Sequence, residues 1–214
     1  VDPRAETTPS FPWLEESTTP IFPDLEAAFS AGISADLVFI SSPIQFHVPQ
    51  SVQALEKRAC VLCEKPLAAT VQDADNLVET EKKSPCWVEI GYQWSYSQAV
   101  TSLKLDILEG LYGLPRRLRS LCIWPRSSGY YKRNDWAGRL KDNQGAWVLD
   151  SPANNAMAHF LHNMLFCLGG TMGQSAAPDV VEAEALRAYP IETFDTIACR
   201  IHTLDGVELL FYAS

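Results

Sequence analysis

The stretch Ala59-Cys60-Val61-Leu62-Cys63-Glu64-Lys65-Pro66 decides how this chain is read: a short apolar run stops abruptly at two charges and a proline. Five such residues bounded by a turn suit a buried strand. The proline biases the residue before it toward an extended conformation, away from any following helix. Lys65 is thereby placed at the carboxyl end of a strand, the edge at which open α/β sheets bind ligands. An amine in that position is able to move protons.

Upstream, Ala35-Asp36-Leu37-Val38-Phe39-Ile40 is a second apolar run, of the kind expected for a parallel strand covered on both faces, and it ends in the turn-forming Ser41-Ser42-Pro43. The spacing of Val48, Val52 and Leu55 predicts a helix from His47 to Arg58. Strand, loop, helix, strand is the order of a βαβ unit. A second unit follows. Thr70, with Asp73 three residues on, caps a helix whose apolar stripe is Ala74, Leu77 and Val78, and Cys86 to Ile90 is the next strand. The loops from Ser41 to His47 and from Glu64 to Ala68 then open on one edge of one sheet.

Beyond Gly91 the pattern changes. A helix is expected from Ser95 to Glu109, stopped by Gly110, and a strand from Arg116 to Trp124 that alternates charged and apolar residues. Val180 to Tyr189 and Ile197 to Thr203 alternate too, and Asp205-Gly206 marks a hairpin into Val207 to Tyr212. The fold class expected is α/β plus α+β: a parallel sheet built from βαβ units, then a domain with an antiparallel open β-sheet. One face of that second sheet would be buried by a helix over Asn155 to Leu168, the other left to solvent or oligomer contacts. The expected boundary divides residues 1–93 from residues 94–214.

The chain has 214 residues, 47% of them hydrophobic, and a formal charge of −9. That balance argues against a nucleic-acid partner, because binding phosphates needs a basic face. No run approaches the ~20 apolar residues of a membrane span, and the opening residues do not read as a signal peptide, so the expected location is cytoplasmic. Of the six cysteines, Cys60 and Cys63 lie three apart on a strand and point to opposite faces, with no second pair to complete a metal site. Packed free thiols are expected, and no metal. The segment from Arg126 to Gln144 is a local exception to the acidic balance: Arg126, Lys132, Arg133, Arg139 and Lys141 face only Asp135 and Asp142, with Tyr130, Tyr131 and Trp136 among them. Aromatic rings suit the face of a sugar, and the cations suit an acidic group or a cofactor's phosphates.

Ser41-Ser42-Pro43 followed by His47, the VLCEKPLA stretch from Val61 to Ala68, and the EIGYQ stretch from Glu89 to Gln93 together resemble the glucose-fructose oxidoreductase and inositol dehydrogenase family, Gfo/Idh/MocA. The resemblance makes the parallel sheet a partial Rossmann-like one, part of a Rossmann domain that binds NAD or NADP, and implies a second domain that binds a sugar, cyclitol or related polyol. Hydride passes between the two, with Lys65 helping to move the hydroxyl proton. The implied cofactor contacts are Asp2, Ser41, Ser42, Pro43, His47, Glu64, Lys65 and Gln93. The implied substrate contacts are Lys65, Tyr131, Trp136 and Arg139, the last three from YYKRNDWAGRL, together with Asn155, His159 and His162.

The family pairs an aspartate with a histidine at the start of one helix. Here His159 falls on the histidine and Asn155 on the aspartate, so the implied catalytic set is Lys65, His159 and Asn155. Asp150 lies too early to replace the missing acid unless the loop bends back. Val1-Asp2-Pro3 resembles the end of the family's second strand, where an acidic residue meets the adenosine ribose and favours NAD, whereas Arg4 would meet a 2′-phosphate. On that resemblance the chain is an incomplete copy, begun after the glycine-rich turn and ended in mid-sheet. A homo-oligomer formed through the C-terminal sheet is also implied. Two alternatives stay open: an NAD-dependent glycosidase, and a non-catalytic binding or assembly protein on the same fold.

Overall fold

Strands β1 (Leu37–Ile40), β2 (Cys60–Cys63) and β3 (Val88–Ile90) form a parallel sheet in that order, with Ile40 opposite Cys63 and Cys63 opposite Ile90. The structure, a computed structural model, describes residue 16 and residues 18–214. The contacts expected of Asp2 and Arg4 lie outside the described residues. A short helix α1 (Leu25–Ser30), capped by the Asp24 side chain, precedes the sheet. The crossovers are α2 (His47–Glu56) and α3 (Val71–Glu81), where Thr70 accepts from the Asp73 amide as its spacing anticipates.

Both crossovers run the same way across the sheet, so both helices lie on one face and pack on each other. Ile40, Val48, Ala54, Leu55, Val61, Cys63 and Leu77 form the core between them. Burying such side chains contributes about 1.5–3 kcal/mol each for the larger ones. This corrects the reading of β1 as covered on both faces: Phe39 is 70% exposed on the opposite side. The stripe of α3 is also narrower than its spacing suggests, with Leu77 buried and Val78 largely exposed.

After β3 the chain makes a 3-10 turn (Gln93–Tyr96) and enters α4 (Gln98–Leu108), whose first turn is capped by Ser97. The single helix expected from Ser95 is therefore two pieces, because the Ser97 hydroxyl accepts from the Val100 amide and starts a new helix there. A second sheet holds β4 (Arg117–Cys122), β5 (Pro178–Leu186), β6 (Thr196–Thr203) and β7 (Glu208–Ala213) in the order β4-β7-β6-β5. The β6-β7 hairpin turns at Asp205-Gly206, where Gly206 has φ +78°. The sheet is mixed rather than antiparallel, because β4 pairs with β7 in parallel. Alternation reveals which face a residue takes, not which way a neighbouring strand runs.

Helix α6 (Ala158–Cys167) covers one face of this sheet, with Met157, Met164, Ile197, Cys199, Ile201, Leu209 and Phe211 between them. The opposite face is charged and open. There Glu208 pairs with Arg117 and with Arg200. Short helix α5 (Ser128–Tyr131) lies in the loop after β4. The helix expected over Asn155 to Leu168 is divided by a wide π turn (Pro152–Ala156), closed by the Met157 amide donating to Pro152 O at 2.8 Å. Such turns recur at functional sites because they displace one residue from the helical register. Asn155 is in this turn.

Candidate active site

The carboxyl ends of β1 and β2 open onto a cleft of about 380 Å³, lined on one side by Ser42, Pro43, His47 and Lys65 and on the other by Arg133, Trp136 and Asn155. Lys65 reaches across it. Its Nζ donates to Asn155 O and to Asn155 Oδ1, both at 2.8 Å. Asn155 Nδ2 in turn donates to Asp150 Oδ1 at 2.7 Å. Only one amide orientation suits an amine on one side and a carboxylate on the other. Asp150 is held by the Gly138 amide, which donates to its Oδ2 at 2.7 Å, and by Thr193, whose hydroxyl donates to its carbonyl at 2.5 Å. The loop does bend back, so an acid spaced too early in sequence stands directly behind Asn155.

Burial is the main force on Lys65 and lowers its pKa from the usual amine value; Glu64 and Asp150 oppose this, while Arg126 and Arg133 add to it. The amine is thus biased toward its neutral form. Around it the two sheet-edge loops are tied together by His47, whose Nδ1 lies 2.7 Å from Pro66 O and whose Nε2 lies 2.8 Å from Ser42 O. Both ring nitrogens are engaged by protein carbonyls, so the geometry of this fully buried ring is that of a tie between loops. Ser42 Oγ donates to Gln50 at 2.7 Å and fixes the loop further. Gln45 crosses to the second sheet's loop, donating to Asp142 at 3.1 Å.

His159 is buried, stacks on Trp94 with ring centroids 4.9 Å apart, and has no partner for Nδ1 among the described residues. Burial, and then the positive charge of Lys65, lower its pKa and favour the neutral ring. His162 shares the helix face but stacks on Tyr92 at 4.0 Å, and burial above all pushes its pKa down to about 4. It faces the aromatic packing beneath the site. Gln93 is exposed on the 3-10 turn, and Arg139 is exposed and donates to Asn143. Tyr131 lines a neighbouring cavity of about 120 Å³ that also reaches Asp150 and Arg126. The structure therefore gathers Ser41, Ser42, Pro43, His47, Glu64, Lys65, Trp136 and Asn155 around one cleft. Gln93, Tyr131, Arg139, His159 and His162 are not among its lining residues.

Sequence spacing alone places Asp150 too early and admits it only if the loop bends back; it counts Arg133 among the loop cations without assigning it a contact, and gives Asn134 no place in the site. Asn134 Oδ1 accepts from the amides of Trp136 and Ala137 and shapes the loop that presents Trp136. The density of cations between Arg126 and Lys141 was the available signal for Arg133. The six cysteines are unpaired in the structure. Among the described residues no cluster could hold a metal ion, and no helix is long and apolar enough to cross a membrane.

Residues 1–92 match the model of the oxidoreductase family with an NAD-binding Rossmann fold, GFO_IDH_MocA. The chain is 29% identical over 112 residues to the inositol 2-dehydrogenase/D-chiro-inositol 3-dehydrogenase of Lacticaseibacillus casei, a stretch that covers 52% of this chain and 32% of that enzyme. It is 34% identical over 86 residues to the D-xylose 1-dehydrogenase [NADP(+)] of Haloarcula marismortui, covering 40% of this chain and 24% of that enzyme. The fold is similar to that of the WlbA dehydrogenase from Bordetella pertussis, solved in complex with NADH and UDP-GlcNAcA, with a TM-score of 0.77 and 21% identity over 90% of this chain and 56% of that one. The chain thus spans about half the length of that structure, and its matches span a third or less of these two enzymes. Over residues 1–92, where Glu64, Lys65 and Pro66 follow the second described strand, the chain is thus similar to the Gfo/Idh/MocA oxidoreductases.

Proposed function

We propose that the complete protein is an NAD(P)-dependent dehydrogenase that moves hydride between the dinucleotide and a sugar, cyclitol or related polyol. One observation carries this reading: Lys65 Nζ, at the carboxyl edge of the parallel sheet, spends two hydrogen bonds on Asn155 O and Oδ1. A neutral amine has two hydrogens and one lone pair. With both hydrogens engaged, the lone pair occupies the remaining tetrahedral direction, free to accept a proton. The described residues fit such a pair of ligands, since a 380 Å³ cleft is within the range of small-molecule sites, roughly 300–1,000 Å³, and the buried Nδ1 of His159, close enough to Lys65 for its charge to act on the ring, has no partner among the described residues.

A bound oxidised nicotinamide supplies the hydride acceptor. Lys65 takes the proton of the substrate hydroxyl: the O–H bond breaks, an N–H bond forms, and the carbinol carbon becomes a carbonyl as its hydride leaves. The resulting ammonium is stabilised by the two Asn155 oxygens and by the charges of Asp150 and Glu64. Asn155 itself does not titrate. His159 orients the same hydroxyl through its unpartnered nitrogen, and His47 holds the two loops in register. Residues 1–93 form a partial dinucleotide-binding domain in this reading, and residues 94–214 a substrate domain. NAD is the form we favour, from Asp2 as a ribose acceptor. The open face of the second sheet is proposed as the surface of a homo-oligomer, and the six unpaired thiols support a reducing, cytoplasmic setting.

The test is a polyol and sugar panel with NAD and with NADP, followed by reduced-dinucleotide absorbance. One carbinol substrate should be oxidised in step with cofactor reduction. Failure of the complete protein to bind or reduce either dinucleotide would overturn the reading.

A further inference from the structure

The cleft and the cavity beside it hold more positive charge than their carboxylates answer, Arg133 lining the first and Arg126 the second. Arg126 and Arg133 both lie over the ring of Tyr130, at 4.8 and 3.9 Å from its centroid. Arg126 is further fixed by donating to Trp124 O at 3.0 Å, and Arg133 by donating to the Tyr130 hydroxyl at 2.9 Å. Among the described residues neither guanidinium is paired with a carboxylate, although Arg117 and Arg200 on the open sheet face are. Both arginines are close enough to Lys65 to act on its charge.

The neighbouring acids are committed elsewhere. Asp150 accepts from Gly138 and Asn155, Asp195 accepts from the amides of Ala188 and Tyr189, and a Glu64 oxygen accepts from the Lys65 amide. In a chain of charge −9, two arginines held in place without carboxylate partners beside a third cation form a site for an anion. Tyr130 and Trp136 beside them give such an anion an aromatic neighbour of the kind that packs on a sugar ring.

We infer that the substrate of this cleft carries an anionic group, a carboxylate or a phosphate, which Arg133 and, from the adjoining cavity, Arg126 bind while its hydroxyl meets Lys65. This deepens the dehydrogenase reading and rests on it. The anion compensates the positive charge that otherwise opposes a proton arriving at Lys65. A neutral polyol leaves the two guanidinium groups unanswered.

The experiment measures binding of D-glucose, D-glucuronate and glucose 6-phosphate to the complete protein by tryptophan fluorescence, at matched ionic strength, with and without saturating NAD. At least one charged sugar should bind about tenfold more tightly than glucose, the scale of a charge-assisted pair of hydrogen bonds, and which of the two does so separates carboxylate from phosphate. R126Q and R133Q should each erode that ratio and together abolish it. R133K should keep part of it, because the charge remains and the fork geometry goes. Lys83→Gln, which removes a charge outside the cleft lining, should leave the ratio unchanged and controls for net charge. No preference for a charged sugar, no binding by any of the three, or a preference that survives the double variant would overturn the inference. Loss of the preference on adding NAD would also overturn it, by giving the arginines to the cofactor's phosphates. The dehydrogenase reading fails separately: charged-sugar binding with no dinucleotide reduction removes that reading alone, and oxidation of neutral polyols with no charge preference removes this one alone.

Discussion

Asn155 Nδ2 donates to Asp150 Oδ1 at 2.7 Å, and this bond decides that the amide oxygen, not its nitrogen, faces Lys65. The buried carboxylate therefore acts on the amine in two ways. It orients a neutral acceptor toward Nζ, and it adds a negative charge one residue removed. A neutral side chain next to the amine, with the charge set behind it, leaves Lys65 easier to deprotonate than a carboxylate in direct contact would.

Asn155→Asp places that carboxylate in contact. It should favour the ammonium form of Lys65 and raise its pKa, so activity that needs the neutral amine appears only at higher pH. The rising limb of the kcat/KM profile should move upward by about one unit or more, and the rate at neutral pH should fall. A limb that stays in place would show that Lys65 is not the titrating group.

Lys65→Ala in the complete protein should leave dinucleotide affinity nearly intact while turnover falls by roughly 10²–10⁴-fold, the range for a general acid–base group. The separation follows from geometry, because the loop around Lys65 is fixed by His47 and Ser42 rather than by the amine. Isothermal titration with dinucleotide and initial rates on a confirmed substrate check the two halves. Turnover within about twofold of the parent protein removes the amine from the chemistry.

Much of this site could be read from the chain because its cleft-edge half is local. The apolar runs ending at Ile40 and Cys63 set two parallel strands side by side, and the loops that follow them must then share an edge. The charge cluster between Arg126 and Lys141 was visible in the same way. The contact of Asp150 with Asn155 was legible only as a condition, because it depends on the π turn at Pro152–Ala156, and single-residue shifts of a helix leave no periodic trace. The parallel pairing of β4 with β7 was hidden for a related reason: side-chain alternation is identical in both directions. Lys104 was hidden by its type. A lysine in a helical pattern reads as solvent-facing, yet this one is fully buried, donating to Gln174 O at 2.5 Å and lying 3.7 Å over the ring of Phe166.

Gly169→Ala tests how that buried lysine is satisfied. A Cβ at Gly169 would fall 1.8 Å from Gln174 O, the carbonyl that accepts from Lys104. The loop would have to move, and an ammonium would lose a hydrogen bond inside the protein. The expected cost is about 3 kcal/mol, combining overpacking with a lost charged hydrogen bond, measured by denaturant unfolding. A change within about 0.5 kcal/mol, the scale of a neutral surface substitution, would mean that the loop yields without strain.

His162 gives the fold a pH dependence of defined sign. Burial first, then the nearby His159 and Lys104, push its pKa from 6.5 down to about 4. Between those values the unfolded chain binds a proton at this site that the folded chain does not. Stability from this group is therefore fully present above about pH 6.5 and is lost as pH falls toward 4. The ring stacks on Tyr92, so phenylalanine keeps the packing and removes the titration. His162→Phe should narrow its stability gap to the parent protein, or overtake it, as pH drops through that window. The expected swing is about 1–2 kcal/mol rather than the full linkage value, because the ring is only partly shielded from solvent. Turnover should respond more to His159→Asn than to His162→Asn, since of the two rings only the first feels the Lys65 charge. Denaturant unfolding at a series of pH values for parent and variant gives the difference directly, and parallel curves would place the His162 proton outside the folding equilibrium.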